Sequence, residues 1–470
     1  MSTQVLPLHV PAERQTLIPR IERNQRMVAF AQTAPGKLAI LAGAAALFEV
    51  RGVLQPWIMI VLAAISFAPR YRWVLMAAGG VLWIPAAVEF PAAGKPALVT
   101  QAVCVASVVA LAAVLFAVKA HWPKGVVARN PRLTWLAIFA LAVVIAIRLP
   151  QGPARGAAWL AVVTLAACFW FLSYGFSEAP TERPGWRAAS SLFSLWPVGF
   201  ASSTPFFKRP SQMRRLEAKT AEEFALAQLK GIKLLGWSFL LSIAFALFDM
   251  AREKLGVPMP PDAIAASTAG HPFPWYLCWA SLGAGFIDSV MRMAIWGNTV
   301  VAGCRLAGFK MLRNSWRPME SQTIVDFWNR YYYYFKELIA DFFFFPVYMR
   351  CFKKHPRWRM FFATWVSVGV GVPLFHFIRD VHYVEELGLR QAVVGFHVYL
   401  CYATMLAIGI GISQMRKTSA RGREAQPFRI RAIAGVVVFF CFLQVFDDPG
   451  RTVPLREHLL FLARLAGHMN

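Results

Sequence analysis

Acidic residues are scarce in this 470-residue chain: Asp and Glu number 24 against 49 Lys and Arg, a formal charge of +25. Charge of either sign is scarce too, at 16% of residues, while 57% are hydrophobic. Repeated apolar runs of spanning length exclude a soluble protein and place the chain among polytopic membrane proteins. The seven cysteines (Cys104, Cys168, Cys278, Cys304, Cys351, Cys401, Cys441) include no C-x-x-C pair. That argues against a thiolate metal site or a disulfide framework and leaves them as small apolar packers. H-E-x-x-H, H-x-x-x-H and carboxylate-rich patterns are missing, so no metal is expected. A G-x-x-x-x-G-K-[ST] phosphate loop is missing as well, and "SVGVGV" lies inside an apolar run. Arg14, Arg20, Arg23 and Arg26 lead into no compact apolar core with a cleavage site, so no cleaved signal peptide is expected.

Clear apolar runs cover 97–118, 157–176, 231–248, 360–378, 391–413 and 433–446, each close to the length that crosses about 30 Å of hydrocarbon. Shorter runs near 38–50, 53–68, 72–88, 133–147, 191–201, 275–301 and 338–349 read as tilted spans, re-entrant pieces or buried helices. The expected fold is all-α, a polytopic membrane protein with roughly ten to twelve transmembrane or re-entrant helices. No solenoid-length repeat and no Ser-, Gly- or Pro-rich linker divides it. One membrane domain is expected: an N-terminal cytoplasmic segment at 1–36, helices of mostly Ala, Val and Leu at 37–185, and a more polar, aromatic core with the C-terminal helices at 186–470. Positive charge gathers in the loops 208–219, 350–359 and 416–431, the signature of cytoplasmic loops rather than of nucleic-acid binding. A share of it suits anionic membrane lipids or an acidic soluble partner. The loop 379–390 is nearly neutral, so 360–378 is expected to run outward and 391–413 back inward.

Three stretches carry chemistry. In "SLWPVGFASSTPFFKRP", Pro197 and Pro205 break an apolar hairpin; at membrane depth this is tolerated only where freed backbone groups find protein or water. The stretch reads as a re-entrant element lining a cavity or as an ordinary interfacial loop. In "DFWNRYYYYFKELIADFFFFPVY", Asp326 and Arg330 are spaced to pair along a helix, and Asn329, Tyr332 and Tyr333 share a face with Lys336. The alternative there is an interfacial aromatic belt. In "FFATWVSVGVGVPLFHFIRD", Gly369, Gly371 and Pro373 loosen the helix before His376, with Asp380 one turn on. A buried imidazole is a functional candidate because burial costs several kcal/mol unless the group is paired or used. The competing account is a histidine hydrogen-bonded for packing. His397 also lies in an apolar run, without an acid near it in sequence, and His382 falls in the outer loop.

Taken in order, these stretches resemble the membrane-bound O-acyltransferase family, especially its bacterial branch of teichoic-acid D-alanyl transferases and polysaccharide O-acetylases. Ser203, Thr204 and Pro205 stand at the family's proline turn, and Arg305 and Gly308 at its Arg-x-x-Gly element. Phe327, Trp328, Arg330 and Asp341 match its aromatic helix, and His376 matches the histidine of a later span. The family's Trp-His reads Tyr331-Tyr332 here, and its Trp-His-Gly reads Phe375-His376-Phe377.

The resemblance implies transfer of an acyl group from a thioester, acyl-CoA or an acyl carrier protein, to a hydroxyl of a lipid, glycan or other envelope acceptor. It requires no cofactor beyond the acyl thioester as co-substrate. His376 would be the base, oriented by Asp380, with Asn329 and Tyr332 steadying the carbonyl oxygen or the acceptor. Trp328, Arg330, Tyr333, Lys336 and Asp341 would bind substrate, and the rings would exclude water. The alternatives are a transporter or flippase with an intramembrane His/Asp site, and a catalytically inactive scaffold of the same fold. Alanine and arginine richness points to a bacterial source and hence to a multi-pass protein of the inner membrane.

Overall fold

The structure, a computed structural model, describes residues 18–87, 98–178, 193–195, 202–419, 429–448 and 453–465. These residues are helical with no strand; Glu217 and Phe309 form one isolated antiparallel bridge. Six helices are long and apolar enough to cross a membrane: Val99–His121, Pro131–Arg148, Pro153–Ser177, Ala221–Lys254, Pro356–Arg379 and Leu389–Arg416. Two bent pairs, Gln25–Gln32 with Ala34–Val50 at 96° and Pro56–Phe67 with Pro69–Leu82 at 117°, raise the number to eight if each is one span. The chain is thus a helical membrane protein. The expected ten to twelve segments exceed that number. Runs 38–50, 53–68 and 72–88 fold into the bent pairs, and the run 191–201 lies largely outside the described residues, as does Pro197.

Sequence accounts for both bends. Thr33 ends the first helix and caps the second, its hydroxyl accepting from the Gly36 amide, and Pro35 follows in the new first turn. Pro69 cannot continue the helix that precedes it and opens a tight turn instead.

The frame that positions the site is the long pair Ala221–Lys254 and Trp275–Leu306. Gly231 lets them meet closely, because a Cβ there would stand 3.2 Å from the Ala302 carbonyl. Ser238 donates to the Ile295 carbonyl at 2.8 Å, and Arg51 reaches both Ser238 and Thr299, tying the bent N-terminal helices to this frame. At the end of the second helix, Gly308 has φ +84°, and the Phe224 ring fills the space a side chain would occupy. Arg305 donates to the Met311 carbonyl at 2.7 and 3.1 Å, so the Arg-x-x-Gly element holds a turn.

Candidate functional site

The tyrosine stretch is not one helix. Ile324–Tyr331 ends at Tyr332, whose φ −139° and ψ 79° are not helical, and Tyr333–Ile339 starts afresh. The common face expected for Asn329, Tyr332, Tyr333 and Lys336 is therefore not formed. A neighbouring loop supports the break by satisfying the backbone groups it exposes. Trp316 N–H donates to the Arg330 carbonyl at 2.9 Å, the Ser315 hydroxyl to the Tyr331 carbonyl at 2.5 Å, and Tyr333 N–H to the Asn314 carbonyl at 3.0 Å. Asn314 in turn sits against Gly297, where any Cβ would fall 2.8 Å from its own Cβ.

The break divides the aromatic stretch between two places. Trp328, Tyr331, Tyr332 and Phe335 line a cavity of about 720 Å³ together with Ser202, Ser203, Thr204, Trp296 and His376. The Tyr332 hydroxyl donates to Thr204 Oγ1 at 2.8 Å, joining the tyrosine stretch to the proline turn. His376 packs among rings, with centroids 4.7 Å from Tyr399, 5.3 Å from Phe375 and 6.0 Å from Phe335.

The other half forms an ionic cluster. Lys208 Nζ lies 2.7 Å from Glu337 and 3.0 Å from Asp341, all three side chains less than a quarter exposed. The Tyr174 hydroxyl donates to Asp341 Oδ2 at 3.1 Å, Arg132 donates to the Asp341 carbonyl, and Lys336 pairs with Glu337 at 2.9 Å while lying over the Tyr333 ring. Burial opposes the charge on Lys208, but the two carboxylates outweigh it and raise its pKa above the ordinary lysine value.

Two wide π turns flank this arrangement, Ala340–Phe344 and Val366–Gly371. Each precedes a proline, Pro346 or Pro373, whose ring would strike the carbonyl four residues back in a regular helix. The wider turn relieves that clash. Gly371 then admits the Phe343 ring, 2.6 Å from where a Cβ would be, so the two turns interlock just before His376.

Of the residues expected at the site, His376, Asp380, Tyr332 and Trp328 line the cavity. Asn329 is exposed and does not line it. Arg330 pairs with Asp326 at 3.0 Å, the i,i+4 pair its spacing foretold, and lies off the lining. Tyr333, Lys336 and Asp341 belong to the Lys208 cluster. Asp380 accepts two hydrogen bonds from Arg379, at 2.5 and 2.9 Å, so its charge is balanced by its own neighbour. His397 accepts from Leu455 N–H at 3.2 Å and stays outside the cavity.

Sequence reasoning missed Arg379, His382, Tyr399, Tyr402 and Asp447, which also line the cavity. A topological signal was available. Pro356–Arg379 and Leu389–Arg416 are successive spans joined by a short segment, and Asp447 follows the next apolar helix, Ile430–Phe446. Spans that alternate in direction bring residues 376–383, 399–402 and 447 to one end. Among the described residues no three His, Cys, Asp or Glu side chains converge as metal ligands. No family model matches the chain, and no curated protein matches it in sequence.

Proposed function

We propose that the chain is a multi-pass membrane O-acyltransferase of the membrane-bound O-acyltransferase type, seated in a bacterial inner membrane. It would move an acyl group from acyl-CoA or an acyl carrier protein to a hydroxyl of a lipid, glycan or other envelope acceptor. The observation that carries this reading is that His376, Tyr332 and Ser202–Thr204, drawn from three separate stretches, line one aromatic cavity. The reading further takes Trp275–Leu306 and the shorter apolar helix Ile430–Phe446 as membrane segments beside the six long helices and two bent pairs, which would make ten.

The chemistry asks little of the protein because a thioester is already activated. His376 takes the proton of the acceptor hydroxyl as its oxygen attacks the carbonyl carbon. The carbon–sulfur bond breaks, and the departing thiolate receives that proton from the imidazolium. Tyr332 would donate to a developing oxyanion by giving up its hydrogen bond to Thr204. The ring lining keeps out water that would hydrolyse the donor.

The test is turnover of radiolabelled acyl-CoA by the purified protein, as hydrolysis or transfer, with His376→Ala beside it. Loss of about 10²-fold or more with unchanged folding is expected. A rate that survives the substitution removes His376 from the mechanism. Arg379, Asp380 and Asp447 in the same cavity favour transport of a charged solute as a second reading. Counter-flow into proteoliposomes without any thioester turnover would select it.

A further inference from the structure

Among the described residues, the acidic groups around the cavity are paired off, and Asp447 is the exception. Arg379 and Asp380 neutralise each other. Asp288, on the helix behind Tyr331, is held by Arg292 at 2.8 Å. Asp448 accepts from Val453 N–H and faces His458 Nε2 at 3.9 Å. Asp447 lines the cavity, and its carboxylate has no hydrogen bond or ion pair among the described residues. Tyr331, Tyr399 and Tyr402 line the same cavity. Tyr399 and Tyr402 are stacked, with centroids 5.7 Å apart and 16° between planes.

A carboxylate with no ion pair among the described residues costs free energy on burial, since Arg379, the arginine of the same lining, is already held by Asp380, and the phenol rings that share this lining carry negative π faces. Carboxylate and rings together match one ligand chemistry, an alkylammonium group: the carboxylate supplies the counter-charge, and the rings supply cation–π contact with the surrounding C–H groups. We propose that Asp447, Tyr331, Tyr399 and Tyr402 form a binding site for an alkylammonium headgroup. That group would belong to the hydroxyl-bearing acceptor, a clause that rests on the acyl-transfer reading; the binding site itself does not. The acceptor would then be an amino alcohol or a lipid that carries one.

The experiment is binding of radiolabelled choline to the full-length protein in lipid nanodiscs, read by scintillation proximity. Competition uses the neutral isostere 3,3-dimethyl-1-butanol, and a parallel arm sets ethanolamine against 1-propanol. In the native protein each cation should outcompete its neutral isostere by about tenfold or more. Asp447→Asn should erase that preference. Tyr402→Leu should weaken choline binding severalfold and Tyr402→Phe should not, which guards against an Asp447 variant that fails to fold. Preference for choline over ethanolamine, or the reverse, assigns a quaternary or a primary amine. Equal binding of cations and isosteres by the native protein overturns the site, as does a charge preference that survives Asp447→Asn. Because the readout is binding, such a failure leaves His376-dependent thioester turnover untouched, and loss of turnover leaves the binding result standing.

Discussion

One aromatic stretch serves two regions that differ in kind. On one side of the break at Tyr332, rings and a histidine surround about 720 Å³ of open space. On the other, Lys208, Glu337 and Asp341 fill the space with mutually satisfied charge. Residues adjacent in sequence, Tyr332 and Tyr333, fall on opposite sides of this division. Composition alone therefore says little about which polar group in a membrane chain is a chemical tool and which is a fastener. What separates them is whether they border open space or fill it with mutual ion pairs.

Substitutions that affect one region and spare the other test this division. The largest effect is expected from His376→Ala, with acyl-thioester turnover falling by about 10²-fold or more and thermal unfolding unchanged. Lys208→Met should do the opposite. It removes the ion pair of Asp341 and leaves Glu337 with Lys336 alone, and a loss of about 3 kcal/mol is expected, visible as a lower melting temperature in detergent. Adding Glu337→Gln and Asp341→Asn to Lys208→Met should recover part of that loss; if it does not, the cluster is not what holds this region.

The pH dependence of the cluster has a definite sign. The folded-state pKa of Lys208 is raised, so its contribution is complete below the ordinary lysine value of 10.5 and is lost only as pH climbs through the higher folded value. A melting temperature that fell between pH 7 and pH 9 in the native protein but not in Lys208→Met would contradict this.

Smaller effects sharpen the boundary. Tyr332→Phe removes the bond to Thr204, worth about 1 kcal/mol, and should lower turnover severalfold, whereas Tyr333→Phe should leave turnover alone. A reversed order would move the break's significance elsewhere. Smallest of all, Asn329→Ala and Arg330→Ala should change turnover less than about twofold; the second should cost about 0.3–0.5 kcal/mol of stability, the usual worth of a part-exposed i,i+4 pair.

The expected all-α membrane fold was legible because hydrocarbon leaves the backbone few choices, and apolar length reports it directly. The pairing of Asp326 with Arg330 was legible for a similar reason: it depends only on helical periodicity. The face shared by Asn329 and Tyr332 was not, since it presumed an unbroken helix. The break is stabilised by Asn314, Ser315 and Trp316 from a loop whose position depends on Gly297, and nothing local announces it. Arg379 and Asp447 were passed over because a charged residue at the end of a span looks the same whether it faces lipid headgroups or a cavity.

By itself, then, the sequence determined that this chain crosses a membrane as helices and that His376 is an ionisable group within one of them, because both follow from local composition and spacing. Only the tertiary structure decided which neighbours the histidine has. That choice depends on the directions of successive spans, on two proline-driven π turns, and on contacts between residues more than a hundred positions apart, such as Tyr332 with Thr204.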